Sequence, residues 1–262
     1  IKRNQPGGDS IGRALLAVGL GVLGVGALAG AVALTPGPRA LGQSETALEA
    51  RSPNQKHNAK LACQAIDGHV VPPGGVFSFN KAVGSWSRDK GYRRAPVSFN
   101  GTLIDAWGGG VCQTSTTFYS AALFAGMEVV ERHAHHFCPT YSSPGRDAAV
   151  AYPNIDLRMR NPYGFPLVVR AKVEGSRLKV SLVGAGEAKQ VSIVTKVMDR
   201  QTPQTDSPWV RAPGKPGFEV ETYRITPEGR ARISRDIYPV MHRVVQWSSD
   251  GQQASIFTGL EP

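Results

Sequence analysis

The stretch WGGGVCQTSTTFYSAALFAG, Trp107–Gly126, sets a single cysteine directly after three glycines and ahead of a run of small and apolar residues. From Val111 onward the apolar positions recur at helical spacing, and Gly126 is a natural stop for a helix. The pattern predicts a helix over residues 111–125. Cys112 then lies in the first turn of that helix.

The first turn of a helix is a favourable place for a thiolate. Its backbone N–H groups have no partners within the helix, and the helix dipole adds partial positive charge. Both effects lower the pKa of a thiol, and glycines allow a close backbone approach that other residues forbid. The sequence predicts that Cys112 is a nucleophile and that Gly110 and Gln113 help to hold a developing oxyanion. An inert, packed cysteine is the competing interpretation.

A cysteine nucleophile needs a proton acceptor, and the stretch ERHAHHFCPTYSSPGRDA, residues 131–148, offers three histidines. Alternation along a strand places His133 and His135 on one face and His136 on the other. Either of the first two is a candidate general base, and Asp147 is a candidate carboxylate that orients it. The pattern predicts a site made of a thiol, an imidazole and a carboxylate.

Two other uses of the cysteines stay open at this level. Cys112, Cys138 and two histidines have the ligand chemistry of a zinc site, although the spacing HAHHFC is not a standard zinc pattern. Outside the cell, Cys63 and Cys138 could instead pair as a disulfide and leave Cys112 free. We expect neither a metal nor another cofactor in the site.

The rest of the chain shows short strand patterns with few helices. Helical spacing predicts a helix over residues 54–67, and HVVPPGGVFSFN, residues 69–80, is typical of two short strands joined by a turn. Extended stretches follow, among them MEVVER, DAAVAY and the hairpin PLVVRAKVEGSRLKVSLVG. This order predicts an α+β fold with a mainly antiparallel sheet and a few packed helices.

Composition divides the chain into segments. We expect residues 35–50 to be a polar linker with helix potential, residues 51–186 to be the main domain, and residues 187–262 to be a small all-β appendage. In that appendage QVSIVTKV, GFEVETYRI and ARISRDIYPV alternate as exposed strands do, with TPEG as a turn.

The N-terminal segment indicates export. Residues 14–34 contain no charged or strongly polar side chain and are long enough for a helix to cross the hydrocarbon core of a membrane. Three cations in residues 1–13 are expected to hold that tail in the cytoplasm. We therefore expect a single-pass anchor in the cell membrane, with the rest of the chain outside. The tripeptide AVA, Ala31–Ala33, resembles a cleavage site and keeps a secreted form open.

The charge of the chain limits the classes of binding partner that we expect. The formal net charge is +10, yet the Lys and Arg residues are scattered and no nucleic-acid motif is present. We therefore expect no nucleic-acid partner. A basic surface is compatible with an acidic wall polymer.

Four stretches, in order, resemble the VanW-like domain of bacterial surface proteins: PPGGVFSFNKAVGSWSRDKGYRRAP, GGGVCQTSTTFYSAAL, MEVVERHAHH and YSSPGRDAAVAYPNIDLRMRN. The resemblance runs from about residue 51 to residue 184. Its central motif sets glycines before Cys-Gln, with Ser115 and Tyr119 downstream as candidate substrate contacts. Some VanW-like domains are peptidoglycan L,D-transpeptidases in which the motif cysteine is the nucleophile. The resemblance implies that role for Cys112.

The same resemblance implies peptidoglycan stem peptides as partners. The thiolate would attack the carbonyl of the third stem residue and expel the terminal D-alanine, and an amine of a neighbouring stem, or water, would resolve the acyl-enzyme. His135, Tyr141, Arg146 and Asp147 match the family by position. Residue chemistry suggests a base for His135, an orienting group for Asp147 and substrate contacts, including a carboxylate clamp, for Tyr141 and Arg146. A non-catalytic peptidoglycan-binding module and a zinc-binding domain are the competing functions.

Overall fold

The computed structural model describes residues 37–99, 102–203, 210–212, 214–241 and 244–245. The expected cytoplasmic tail, residues 1–13, and the expected membrane anchor, residues 14–34, lie outside the described residues. Within the described ranges, no helix has both the length and the apolar character needed to span a bilayer.

The secondary structure is mainly strand. The helices are α1 Pro53–Ile66, α2 Phe79–Val83 and α3 Val111–Phe124, with a short 3-10 turn at Arg88–Lys90. The strands are β1 Arg39–Ala47, β2 Val70–Val71, β3 Val76–Ser78, β4 Arg94–Phe99, β5 Thr102–Trp107, β6 Glu128–Glu131, β7 Arg158–Arg160, β8 Leu167–Glu174, β9 Arg177–Gly184, β10 Ser192–Gln201, β11 Val210–Ala212, β12 Gly217–Thr226, β13 Gly229–Tyr238 and β14 Val244–Val245.

The strands form several small antiparallel sheets. The main sheet has the order β1-β9-β8-β2, and α1 and α3 pack against it and against each other. A three-stranded sheet β3-β7-β6 and the hairpin β4-β5 lie in the same half of the chain. The C-terminal part forms the sheet β10-β12-β13 and the pair β11-β14. The expected α+β class, with antiparallel sheets and few helices, is confirmed for the described residues.

Helix α1 holds the loop that precedes the cysteine. Its N-terminus is fixed by a capping box, in which Ser52 Oγ accepts from Gln55 N and Gln55 Oε1 accepts from Ser52 N. The buried Asn58 amide donates to the carbonyl oxygens of Arg93 and Gly109, at 2.8 and 2.9 Å. The predicted helix over residues 54–67 is therefore present, and one of its polar side chains fixes the glycine loop.

The segment expected to be a linker with helix potential, residues 35–50, instead contains strand β1. This strand pairs with β9 over its whole length and crosses α3 at Gly42, where an added Cβ would lie 2.1 Å from the backbone nitrogen of Ala125. Its inward face consists of small and polar residues, and the buried Thr46 hydroxyl hydrogen-bonds that of Thr117 at 2.8 Å. The sequence RALGQSETA lacks the apolar alternation of a half-buried strand, which is why the helix interpretation was wrong.

The stretch DAAVAY, expected to be a strand, forms only isolated bridges, His133 with Ala149 and Ala151 with Ile155. Part of its backbone bonds to α3 in place of a sheet partner. The Ala148 N–H donates to Thr116 Oγ1 at 3.1 Å, and the Ala148 carbonyl accepts from Ser115 Oγ at 2.7 Å. These hydroxyl groups fix the segment that follows Asp147 against the start of α3.

Candidate active site at the start of helix α3

Helix α3 is buried over most of its length, and Cys112 in its first turn is an exception. From Val111 to Leu123 every residue of α3 is buried except Cys112, which is partly exposed. The helix begins where predicted, with Gly110 as its N-terminal cap at φ +107°. The thiol therefore lies in the first helical turn and is the reachable side chain there.

The glycines before Cys112 serve close packing more than exposure. An added Cβ at Gly110 would lie 2.3 Å from the carbonyl oxygen of Gln55, and one at Gly109 would lie 2.7 Å from that of Pro96. Because φ is also positive at Gly110, only glycine fits without strain. The loop is thus wedged between α1 and β4, and this fixes the direction in which α3 begins.

His135 is the histidine that meets the thiol. The Cys112 sulfur lies 3.3 Å from the carbonyl oxygen of Val150, and the nearby His135 imidazole lowers the pKa of the thiol. On the other side of the ring, Nδ1 lies 2.6 Å from Asp147 Oδ2. Since Nδ1 is engaged by the carboxylate, Nε2 is the nitrogen left to exchange a proton with sulfur.

Asp147 is sealed in the interior, with a side chain that is 0% exposed. Its Oδ2 accepts from the backbone N–H of His135 at 2.8 Å as well as from the imidazole. Its Oδ1 accepts from Arg132 at 3.0 Å and from the Tyr238 hydroxyl at 2.5 Å. A carboxylate with this many donors is held in one orientation and stays ionised.

Three residues around Asp147 were missed by the sequence analysis. Arg132 is buried, donates to both the side chain and the backbone carbonyl of Asp147, and pairs with Asp236 on its other side. Tyr238 donates to Asp147 and accepts from Gly145 N at 2.8 Å. The only sequence signal was that an arginine in MEVVER directly precedes the histidine cluster. Asp236 and Tyr238 lie about a hundred positions farther along the chain and gave none.

The electrostatics favour a thiolate beside an imidazolium. Burial raises the pKa of Cys112, but the hydrogen bond and charge of His135 outweigh it, so the net shift is downward. Burial lowers the pKa of His135, while its hydrogen bonds with Asp147 and Cys112 raise it to about 9. Burial raises the pKa of Asp147, yet His135, Arg132 and Tyr238 lower it overall. Both shifts favour transfer of the proton from the sulfur to the imidazole.

Several predicted site residues lie elsewhere or have other partners. His133 is exposed and lies 3.1 Å from Glu131, so the structure selects His135 of the two candidates. The Gln113 amide is buried and donates to Thr46 Oγ1 and to the Ala47 carbonyl on β1. Its side chain is thus used for packing and not as an oxyanion donor at the thiol.

Ser115 and Tyr119, the expected substrate contacts on α3, are fully buried. Ser115 Oγ donates to the carbonyls of Ala148 and Cys112, so it links the start of α3 to the segment that follows Asp147. The Tyr119 ring lies under the Arg132 guanidinium, 5.4 Å from its centroid. Both corrections follow from the packing of α3, since every residue from Gln113 to Leu123 is buried.

Arg146 is directed toward the far end of α3. Its guanidinium lies 5.9 Å from the centroid of the Phe124 ring, which is about 18 Å along the helix axis from Cys112 at 1.5 Å per residue. Its other contact is with Ser143 Oγ, at 3.0 Å. Arg146 is therefore not placed as a carboxylate clamp at the thiol.

Tyr141 does lie beside Cys112 and His135. Its ring stands edge-on to the His135 imidazole, with centroids 6.4 Å apart, and the Arg51 guanidinium lies 4.8 Å from its centroid. Burial and the nearby charge of Cys112 raise the pKa of the phenol, so it stays protonated and can donate. Arg51, which the sequence analysis did not select, brings a positive charge to this side of the site.

The alternative uses of the cysteines are not realised in the described residues. Cys63, Cys112 and Cys138 are all free thiols, so the disulfide considered for Cys63 and Cys138 is absent. Burial raises the pKa of Cys63 and of Cys138 to about 12 in each case. Within the part of the chain that the structure describes, no group of three or more His, Cys, Asp or Glu side chains is placed to hold a metal ion.

Fold and site together define an α+β protein in which a cysteine at a helix N-terminus lies beside a histidine that is paired with a buried aspartate. Residues 54–183 match the family model described as "VanW like protein", and this range includes Cys112, His135 and Asp147. The chain belongs to the VanW-like family, as its sequence motifs had indicated.

Two curated relatives support this assignment. The chain is 41% identical over 142 residues to the uncharacterized protein YoaR of Bacillus subtilis (strain 168), which covers 54% of this chain and 47% of the relative. It is 31% identical over 114 residues to the vancomycin B-type resistance protein VanW of Enterococcus faecalis (strain ATCC 700802 / V583), which covers 41% of each. The chain thus spans less than half the length of these relatives. No solved structure matches this chain.

Proposed function

We propose that this protein is a cysteine-dependent acyltransferase that acts on peptidoglycan stem peptides in the cell envelope. The observation that carries the proposal is the arrangement of Cys112, His135 and Asp147. A partly exposed thiol at the start of a buried helix lies beside an imidazole whose Nδ1 is 2.6 Å from a buried carboxylate. Such an array activates a nucleophile and returns its proton to a leaving group.

In the first half-reaction, the Cys112 thiolate attacks the carbonyl of the third stem residue. A carbon–sulfur bond forms, and the negative charge moves to the carbonyl oxygen. Collapse of this tetrahedral species breaks the amide bond, and His135 transfers its proton to the departing amine, so that D-alanine leaves and a thioester remains. Asp147 keeps the imidazole oriented and stabilises its positive charge throughout.

In the second half-reaction, an amine from a neighbouring stem attacks the thioester, and His135 takes up its proton. The carbon–nitrogen bond forms, the carbon–sulfur bond breaks, and the product is a cross-link between two stems. Water in place of the amine gives a shortened stem and makes the enzyme a carboxypeptidase. Both outcomes use the same three residues.

The backbone of the first turn offers one suited donor for the oxyanion. The Val111 and Gln113 amides already donate to the carbonyls of Gly108 and Gly110, at 3.0 and 3.2 Å. The Cys112 N–H lies between them and makes no such hydrogen bond within the described residues. It points from the same turn as the nucleophile, which is where a developing oxyanion needs a donor.

The comparisons support the envelope as the place of action. One relative is named for B-type vancomycin resistance, which is compatible with an action on the cell wall. The apolar residues 14–34 would anchor the chain in the membrane and leave the catalytic segment outside, next to the wall. Arg51 and Tyr141 would then face an anionic stem peptide beside His135.

The decisive experiment incubates the purified protein with a tetrapeptide stem that ends in D-alanine and follows both products by mass spectrometry. We expect release of D-alanine and a tripeptide acyl adduct on the peptide that contains Cys112. The Cys112→Ser variant should lose this adduct, while Cys63→Ser, which alters a buried thiol, should keep it. Binding of the stem without adduct or release would favour a non-catalytic binding module and overturn the proposal.

A further inference from the structure

The matched VanW-like segment ends at residue 183, yet the hydrogen bonds of the site continue beyond it. Each oxygen of the Asp147 carboxylate has its own set of donors. Oδ2 accepts hydrogen bonds from His135, whereas Oδ1 accepts them from Arg132 and Tyr238. Since Tyr238 is the last residue of β13, the side of the carboxylate opposite the imidazole is fixed from the C-terminal sheet.

Tyr238 uses both functions of its hydroxyl. It donates to Asp147 Oδ1 at 2.5 Å and accepts from Gly145 N at 2.8 Å. The Gly145 carbonyl in turn accepts from Thr222 Oγ1 on β12, and an added Cβ at Gly145 would lie 2.4 Å from that same oxygen. The turn before Asp147 is thus bonded through its N–H and its C=O to two strands of the C-terminal sheet.

A chain of buried ion pairs forms a second link between the same sheet and the site. Arg132 lies between Asp147 and Asp236, and all three side chains are at most 8% exposed. Asp236 on β13 also accepts from Ser234 Oγ at 2.8 Å. A buried guanidinium is stable only when it is paired. Asp236 therefore keeps Arg132 in place, and Arg132 in turn binds Asp147.

We propose that Tyr238 and Asp236 are positioning residues for the Cys112–His135–Asp147 site, so that the sheet β10-β12-β13 is part of the catalytic unit. This inference rests on the proposed function, because a positioning role has meaning only for a reactive thiol. It goes beyond it in assigning a task to residues outside the family match. The VanW-like segment alone then lacks one of the four donors that hold its carboxylate, Tyr238, and the acidic partner of a second donor, Arg132.

The test measures the rate of iodoacetamide labelling of Cys112 against pH in the full chain, with the labelled peptide identified by mass spectrometry. Tyr238→Phe keeps the packed ring and removes only the hydroxyl. Without it, the carboxylate and the imidazole spend less time aligned with sulfur. We expect the labelling midpoint to rise by about one pH unit, which is about a tenfold loss of thiolate below the midpoint.

The matched control is Tyr223→Phe on the neighbouring strand, whose hydroxyl donates to Glu221 away from the site. It should leave the midpoint unchanged. Asp236→Asn provides an independent variant, and it should raise the midpoint in the same direction. A fold defect alone would expose all three cysteines to the label. It would not selectively shift the pH midpoint of Cys112 labelling.

The outcomes separate the two proposals. A low midpoint in the native protein that is unchanged in both Tyr238→Phe and Asp236→Asn overturns the positioning role and leaves the proposed function standing. A native midpoint at the value of a free thiol, about 8.5, overturns the proposed function and this inference with it. A selective rise in both variants, with Tyr223→Phe unchanged, supports the inference.

Discussion

Cys63 on α1 and Cys112 on α3 lie on two helices that pack against each other, yet the pKa values of their thiols are shifted in opposite directions. Burial is the largest influence on the pKa of each, and in both cases it acts upward. At Cys63 a hydrogen bond with Thr114 opposes it only weakly, and the pKa rises to about 12. At Cys112 the imidazole of His135 reverses the shift.

The comparison shows what raises the pKa of one cysteine in this protein and lowers that of another. Dry surroundings alone give an inert thiol, because the charged form loses its hydration. The same surroundings strengthen the attraction to a nearby imidazolium, so a single partner changes the outcome. Position in the helix adds to this, since Cys63 lies in the last turns of α1 whereas Cys112 lies at the positive end of α3.

The largest expected effect is the difference in labelling between the two thiols. At pH 7 the thiolate fractions should differ by at least about a thousandfold, because the pKa of Cys63 is about 12 and that of Cys112 lies below the ordinary value. Brief treatment of the native protein with iodoacetamide, followed by peptide mapping, should find the label on Cys112 and none on Cys63. Equal labelling of the folded protein would break the comparison.

The next effect is on stability. Asp147→Asn removes a buried charge that pairs with Arg132 and His135, and breaking such a pair from one side costs at least about 3 kcal/mol. Urea unfolding of the variant measures this loss. The matched control is Asp105→Asn, whose ion pair with Arg94 is exposed and should contribute less than about 1 kcal/mol. Similar losses in the two variants would contradict the role given to Asp147.

The smallest of the three effects sharpens the comparison directly. His135→Gln removes the imidazolium and leaves Cys112 with its burial and its position at the helix start. Its labelling rate at pH 7 should fall by about a hundredfold, because the thiolate fraction falls about tenfold for each unit by which the pKa of the thiol rises. His136→Gln, which alters the neighbouring ring packed against Phe137, should label like the native protein. If His135→Gln kept a fast rate, the helix terminus alone would account for the thiolate.

Local sequence gave the elements that carry the site but not their partners. The helix after the glycines, its start near Val111 and the candidate pair His135 and Asp147 all follow from patterns within a few dozen residues. Helical spacing did not show that the first-turn glutamine, Gln113, would be captured by β1, because β1 itself lacks a strand pattern. Arg146 looked suitable by sequence proximity to Asp147, yet its side chain runs to the other end of α3.

By itself, the sequence determined the family, the antiparallel α+β character and the placement of one cysteine at a helix start, since periodicity and glycine positions act over short distances. Only the tertiary structure placed His135 and not His133 beside Cys112. It also brought Tyr238 to Asp147 across 91 positions and Asp236 to Arg132 across 104. Buried charges need donors on every side, and a chain meets that need with whichever strands the fold brings near. Such partners leave no local pattern, because nothing but the packed core relates their positions.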